Sequence, residues 1–185
     1  MPLILNAYTT TANTTIIADT GAPPGSLPTP AVVVTKAPEM PFIDGNGTYI
    51  FSPFDGPGAT VTLESVFEIG PGLLPIFTVG LPITVNFAYA ANLTATSSAV
   101  LEAVNLLGIV VLTVPLFTGV TNGGNNQNVA IGSGDALLLA TLLPTLETMT
   151  ITVTTTVTAP EVVPYPFESD GSYLGNLRVQ ALAVL

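Results

Sequence analysis

At 185 residues, with a formal net charge of −10 from twelve acidic and two basic side chains, the chain is long enough for one β-sandwich or barrel, and it lacks the cations that nucleic-acid binding needs. It contains no cysteine and no histidine, which excludes disulfides, thiolate metal sites, thiol catalysis and the commonest general base. Charged residues make up 8% of the chain against roughly 25% in ordinary globular proteins, so the surface is either covered or kept in solution by neutral polar groups.

The start, Met1-Pro2-Leu3-Ile4-Leu5, lacks the basic region and long apolar run of a secretory signal, and reads as leaderless. Residues 1–20 extend but alternate poorly, and residues 21–30 hold four prolines and two glycines. Proline cannot donate to a β-ladder, so residues 1–30 read as an extended arm on a stiff tether, and residues 31–185 as the domain. Short strands alternate with turn signals from Ala31 onward. Val61, Leu63, Phe67 and Ile69 share a face opposite Thr62, Glu64, Val66 and Glu68, and Ile83, Val85, Phe87 and Tyr89 share another. From Val100 to Asn105 a helical spacing competes with strand; a turn near Asn105 and a strand over Gly108–Leu116 follow, then a polar loop at Thr121–Asn128. The longest apolar stretch, Leu106–Val114, is nine residues, well short of the twenty or so that span a bilayer, so no membrane insertion is expected.

A strand is expected over Asp135–Leu143, and Thr148–Thr158 is the clearest of all. Every even position there is threonine and the odd positions are Met149, Ile151, Val153, Thr155 and Val157, which gives one packed face and one hydroxyl face. A Pro-rich bend precedes the closing strand Tyr173–Leu185, whose Leu177, Val179, Ala181, Ala183 and Leu185 share a face. Eight to ten strands with no firm helix predict an all-β, jelly-roll-like sandwich with an N-terminal arm.

The chemical motifs are thin. Asp44-Gly45-Asn46-Gly47-Thr48 with Asp55 echoes a calcium loop but has Tyr49 where glycine belongs. Glu64 and Glu68 lie about 13 Å apart along one strand, too far for a glycosidase pair. Lys36, the sole lysine, sits beside Pro38 and Glu39 and reads as exposed rather than as a crosslink. Sequons occur at Asn13, Asn46 and Asn92. No catalytic residue, cofactor or metal is expected.

Met1-Pro2-Leu3-Ile4-Leu5 leading into Thr9-Thr10-Thr11, and Leu177-Arg178-Val179-Gln180-Ala181-Leu182-Ala183-Val184-Leu185 at the other end, resemble the exosporium and endospore-appendage proteins of bacterial spores. The resemblance implies small jelly-roll subunits whose N-terminal arms reach into the next subunit; those proteins use cysteines to join subunits, and this chain has none. The sequence reading is therefore a non-enzymatic subunit of an extracellular or spore-surface filament, its partners copies of itself. Leu3, Ile4, Leu5, Ile16 and Ile17 are expected to insert into a neighbour; Thr150, Thr152, Thr154, Leu182, Val184 and Leu185 are expected to receive contacts. The alternatives are a viral coat or decoration protein, and a carbohydrate-binding module stacking sugars on Tyr49, Tyr89, Tyr165 and Tyr173.

Overall fold

Alternation of buried and outward side chains, which the threonine ladder displays most plainly, recurs over residues 60–69, 94–103 and 130–138. The computed structural model describes residues 3–35, 40–41, 43, 47–54, 58–69, 81–125, 127–138, 145–158 and 171–181. Among them run β1 (Leu3–Tyr8), β2 (Thr14–Asp19), β3 (Thr29–Pro30), β4 (Val32–Val33), β5 (Ile50–Phe51), β6 (Thr60–Ile69), β7 (Leu81–Ala91), β8 (Thr94–Asn105), β9 (Val110–Thr121), β10 (Ala130–Leu138), β11 (Leu146–Thr158) and β12 (Tyr173–Ala181). In β6 the positions Val61, Leu63, Phe67 and Ile69 are buried as the period-2 pattern requires, and in β7 Ile83, Val85, Phe87 and Tyr89 are fully buried. Each is β-branched, aromatic or leucine, side chains that fit a pleated core surface.

The strands form two antiparallel sheets. The first runs β10-β7-β12, with β1 and the short β5-β4 pair on the far side of β12; the second runs β3-β2-β6-β11-β8-β9. With β2 to β5 set aside as additions at the sheet margins, β1-β12-β7-β10 faces β6-β11-β8-β9. That is the strand order of an eight-stranded jelly roll, two interlocked Greek keys. Phe87 lies at the centre between the sheets, its ring centroid 6.4 Å from Phe67, 5.9 Å from Tyr89 and 6.4 Å from Phe117. Tyr89 also meets Tyr173, at 6.2 Å.

One flank is closed by contact between backbones. A Cβ on Gly134 of β10 would sit 2.1 Å from the carbonyl oxygen of Leu116 in β9, and one on Gly132 would sit 2.6 Å from the Phe117 ring. Glycine at these two positions lets the sheet edges cross closely. Pro115 and three register shifts against β8 interrupt the β9 edge, which limits further pairing there.

Three expectations are corrected. The segment 1–30 is not an arm leaving the domain: β1 pairs with β12 from Leu3↔Gln180 to Tyr8↔Asn176, and β2 pairs with β6. Ile16 is fully buried in the core, and Ile4 and Leu5 pack against that core, because an apolar strand gains more by covering a sheet of its own chain than by staying in water. Nor is there a boundary at residue 30, since β3 pairs with β2 and the Ala31 N–H donates to the Thr14 carbonyl at 3.1 Å. Of the four prolines, Pro30 lies in the short edge strand β3, where a missing donor costs little, and Pro23, Pro24 and Pro28 precede it in the turn that leads there. Finally, Val100–Asn105 is strand throughout, and the strand placed at Asp135 begins at Ala130 and is described to Leu138.

Candidate assembly surfaces and an amide-lined groove

The outer face of the second sheet carries the hydroxyl side of the ladder. Thr150, Thr152, Thr154 and Thr156 are half-buried among cross-strand neighbours, while Met149, Ile151, Val153 and Val157 are buried beneath. The register sets out rows across the sheet: Glu68–Thr150–Glu102, Val66–Thr152–Val100 and Glu64–Thr154–Ser98. Glu102 belongs to this outer face through the alternation Ser98, Val100, Glu102, Val104, a period that the helical spacing at Val100–Asn105 masks in the sequence. Two strand spacings put the Cα atoms of Glu68 and Glu102 roughly 10 Å apart, with Thr150 between them. No group of three or more acidic side chains able to hold a metal ion is found among the described residues.

Thr155 departs from its ladder partners by facing inward. Fully buried, its hydroxyl bonds Ser97 Oγ at 2.7 Å and the Tyr173 hydroxyl at 2.9 Å. Burial pushes the Tyr173 phenol well above its usual value, partly offset by that Thr155 bond. Tyr89, also raised by burial, donates its hydroxyl to the Val120 carbonyl at 2.7 Å. Tyr49 is buried and donates to the Pro41 carbonyl. Tyr49, Tyr89 and Tyr173 are therefore interior, which removes them as sugar-stacking platforms.

The turn between β8 and β9 is apolar and ordered. Asn105 Oδ1 accepts from the N–H groups of Leu107 and Ile109, both at 3.0 Å, and the Asn105 carbonyl accepts from Gly108, whose φ of 74° needs glycine. A further bond runs from the Leu106 N–H to the Thr145 carbonyl at 3.0 Å. This frame holds Leu106, Leu107 and Ile109 outward at 67%, 82% and 56% exposure, with Val110 beside them. The segment Asn105–Val110 contains no charged residue, and Glu147 stands beside it at the register shift between Leu146↔Asn105 and Thr148↔Val104.

At the opposite end, Asn122 organises the polar loop. Only 3% exposed, its Oδ1 accepts from Ala95 and Gly124 and its Nδ2 donates to Leu93 and Ala91. The loop expected to be wholly superficial is thus anchored by one interior amide.

The outer face of the first sheet holds a groove of about 440 Å³ lined by Ile43, Asn86, Ala88, Val129, Ile131, Asn176, Arg178 and Gln180. Its floor is set by the register of β12 on β7, Asn176↔Ala88, Arg178↔Asn86 and Gln180↔Thr84. Asn176, 2% exposed, donates from Nδ2 to Asn6 Oδ1 at 2.8 Å and to the Ala7 carbonyl. Thr84 Oγ1 donates to Asp135 at 2.7 Å.

Of the expected arm residues, Leu3 and Ile17 are exposed and Ile4, Leu5 and Ile16 lie in this chain's own sandwich. Leu182, Val184 and Leu185 lie outside the described residues, as do Lys36, Asp44, Asn46, Asp55 and Tyr165. Two sequon asparagines are engaged locally: Asn13 caps its turn through the Thr10 N–H at 2.7 Å and the Tyr8 carbonyl at 3.0 Å, and Asn92 Oδ1 accepts from the Ser172 N–H at 2.7 Å.

No protein family and no curated protein matches the sequence. Solved structures similar to it include the enzymatically active domain of tailspike protein 4 from bacteriophage CBA120, at 13% identity and a TM-score of 0.45 over 94% of this chain and 20% of that one. Also similar are the Gx strain of infectious bursal disease virus, at 13% identity and 0.38 over 69% of this chain and 28% of that one, and the VP2 subviral particle of the same virus, at 15% and 0.35 over 66% and 27%. This chain thus spans less than a third of the length of each. None of the three is a spore-surface protein, and the jelly-roll assignment stands on the strand order alone.

Proposed function

We propose that this chain is a non-enzymatic structural subunit that assembles with copies of itself into an extracellular filament or coat. The observation that carries the reading is the Asn105–Val110 turn. Leucines at 67% and 82% exposure, held by side-chain and backbone hydrogen bonds, form a contact element that pays almost no ordering entropy on docking. Full burial of a leucine contributes about 1.5–3 kcal/mol, so three such side chains supply several kcal/mol against an association cost of at least about 4 kcal/mol. The turn needs a second surface, and the outer threonine face can supply it, with the uncharged row Val66–Thr152–Val100 at its centre and Glu64 beside Thr154 at its margin. Strand donation by β1 or β2 plays no part, because both are already paired. A contact that closes on itself gives a shell and one that does not gives a filament.

Sedimentation velocity and negative-stain microscopy at about 0.1 mM, where a Kd of tens of micromolar is visible, test this. Wild type should assemble, Leu106→Asp with Leu107→Asp should remain monomeric with strand circular dichroism intact, and Thr152→Lys with Thr154→Lys should assemble less. A monomeric wild type, or a leucine double variant that assembles normally, refutes the reading.

A further inference from the structure

We propose that the groove on the outer face of the first sheet binds a neutral carbohydrate chain through the amides of Asn86, Asn176 and Gln180. These side chains come from adjacent strands, and the groove they line, about 440 Å³, lies within the range of ligand sites. Asn176 is almost completely buried, its Nδ2 is committed to Asn6 and Ala7 of β1, and its Oδ1 accepts nothing among the described residues. Buried polar atoms are ordinarily satisfied, so a buried acceptor lining an open groove marks a place for a donor from outside. The side-chain amides of Asn86 and Gln180 make no hydrogen bond among the described residues either, and each offers a donor and an acceptor side by side, as neighbouring sugar hydroxyls require.

The walls fit the same ligand. Ile131, 63% exposed, with Val129, Ala88 and Ile43, gives an apolar surface for the C–H faces of sugar rings. From Asn176 to Gln180 the floor runs about 13 Å along β12, room for more than one ring. An extended peptide fits less well: along this floor β7 lies between β10 and β12, and β12 between β7 and β1, so no backbone ladder is open to it. Recognition must come from side chains. Among the described residues no aromatic lines the groove, and binding is expected in the millimolar to high micromolar range.

This site stands apart from the assembly surfaces and is tested separately, by NMR titration of the labelled Leu106→Asp/Leu107→Asp chain and by calorimetry on wild type. The probes are maltohexaose, cellohexaose, the hexamer of β-1,4-linked N-acetylglucosamine, and an uncharged threonine-rich peptide. At least one sugar should shift the Asn86 and Gln180 side-chain amides, and Asn86→Ala and Gln180→Ala should each weaken it about fivefold or more, the loss of one hydrogen bond, with the melting temperature unchanged. Shifts elsewhere, binding indifferent to both variants, binding of the peptide alone, or no binding by any sugar at about 20 mM overturns the proposal.

Discussion

Replacing Asn122 by alanine should destabilise the sandwich far more than its place in an Asn- and Gly-rich loop suggests. The side chain makes four hydrogen bonds, to the Ala95 N–H at 3.0 Å, the Gly124 N–H at 3.0 Å, the Leu93 carbonyl at 2.8 Å and the Ala91 carbonyl at 3.3 Å. Gly124 is exposed and water can replace its partner; Ala91, Leu93 and Ala95 are buried, so their groups are left without one. At about 1–3 kcal/mol for each orphaned buried group, with the long Ala91 bond at the low end, the loss should be about 3–5 kcal/mol. That is a large part of a domain's total of about 5–15 kcal/mol, and at about 2–4 °C per kcal/mol it lowers Tm by about 6–20 °C. Asn122→Asp should cost at least as much, because it keeps an acceptor for Ala95 but turns a carboxylate oxygen toward two carbonyls. Urea unfolding followed by tyrosine fluorescence measures both, with exposed Asn128→Ala expected to lie within about 0.5 kcal/mol of wild type. A loss below about 1 kcal/mol for Asn122→Ala would show that the two loops do not depend on this amide.

Two further outcomes follow from the core. Gly134→Ala drives a methyl against the Leu116 backbone and should cost at least about 1–3 kcal/mol in a urea midpoint, whereas Gly108→Ala, with open space but positive φ, should cost about 1 kcal/mol; equal losses would contradict the close crossing of β9 and β10. Burial raises the Tyr173 phenol above its reference value of 10.0, so below pH 10 it is protonated folded or unfolded and adds no pH dependence. Above pH 10 the unfolded chain loses this proton first and stability falls by up to about 1.4 kcal/mol per pH unit toward the folded value, a slope that Tyr173→Phe should reduce in chemical unfolding at stepped pH.

Where the polar pattern and the packing pattern coincide, the residues alone revealed the structure. The even threonines of β11, the buried faces of β6 and β7 and the turn at Asn105 are all local alternations, and a sheet with one face covered must place them so. What escaped was non-local. Nothing within residues 1–20 reveals that β12, more than 160 positions away, provides β1 with its ladder, so an unevenly alternating strand passed for a free arm. Thr155 was legible as inward, but not that Ser97 and Tyr173 supply its partners. The tyrosines show the same limit: stacking side chains and core aromatics have one composition, and burial alone separates them. The amide floor is spread over β7 and β12, and no spacing within either strand announces it.

The position of β12 bears on when this molecule can become itself. It lies between β7 and β1 and is paired on both sides, yet it follows every other described strand in the chain. Until Tyr173–Ala181 emerges, β1 has no ladder and β7 is paired only with β10, so a nascent chain passes through an interval in which both edges that β12 will cover are open. During that interval those edges can pair with other chains, so a helper that shields them should raise the yield of soluble protein without changing the stability of the finished sandwich.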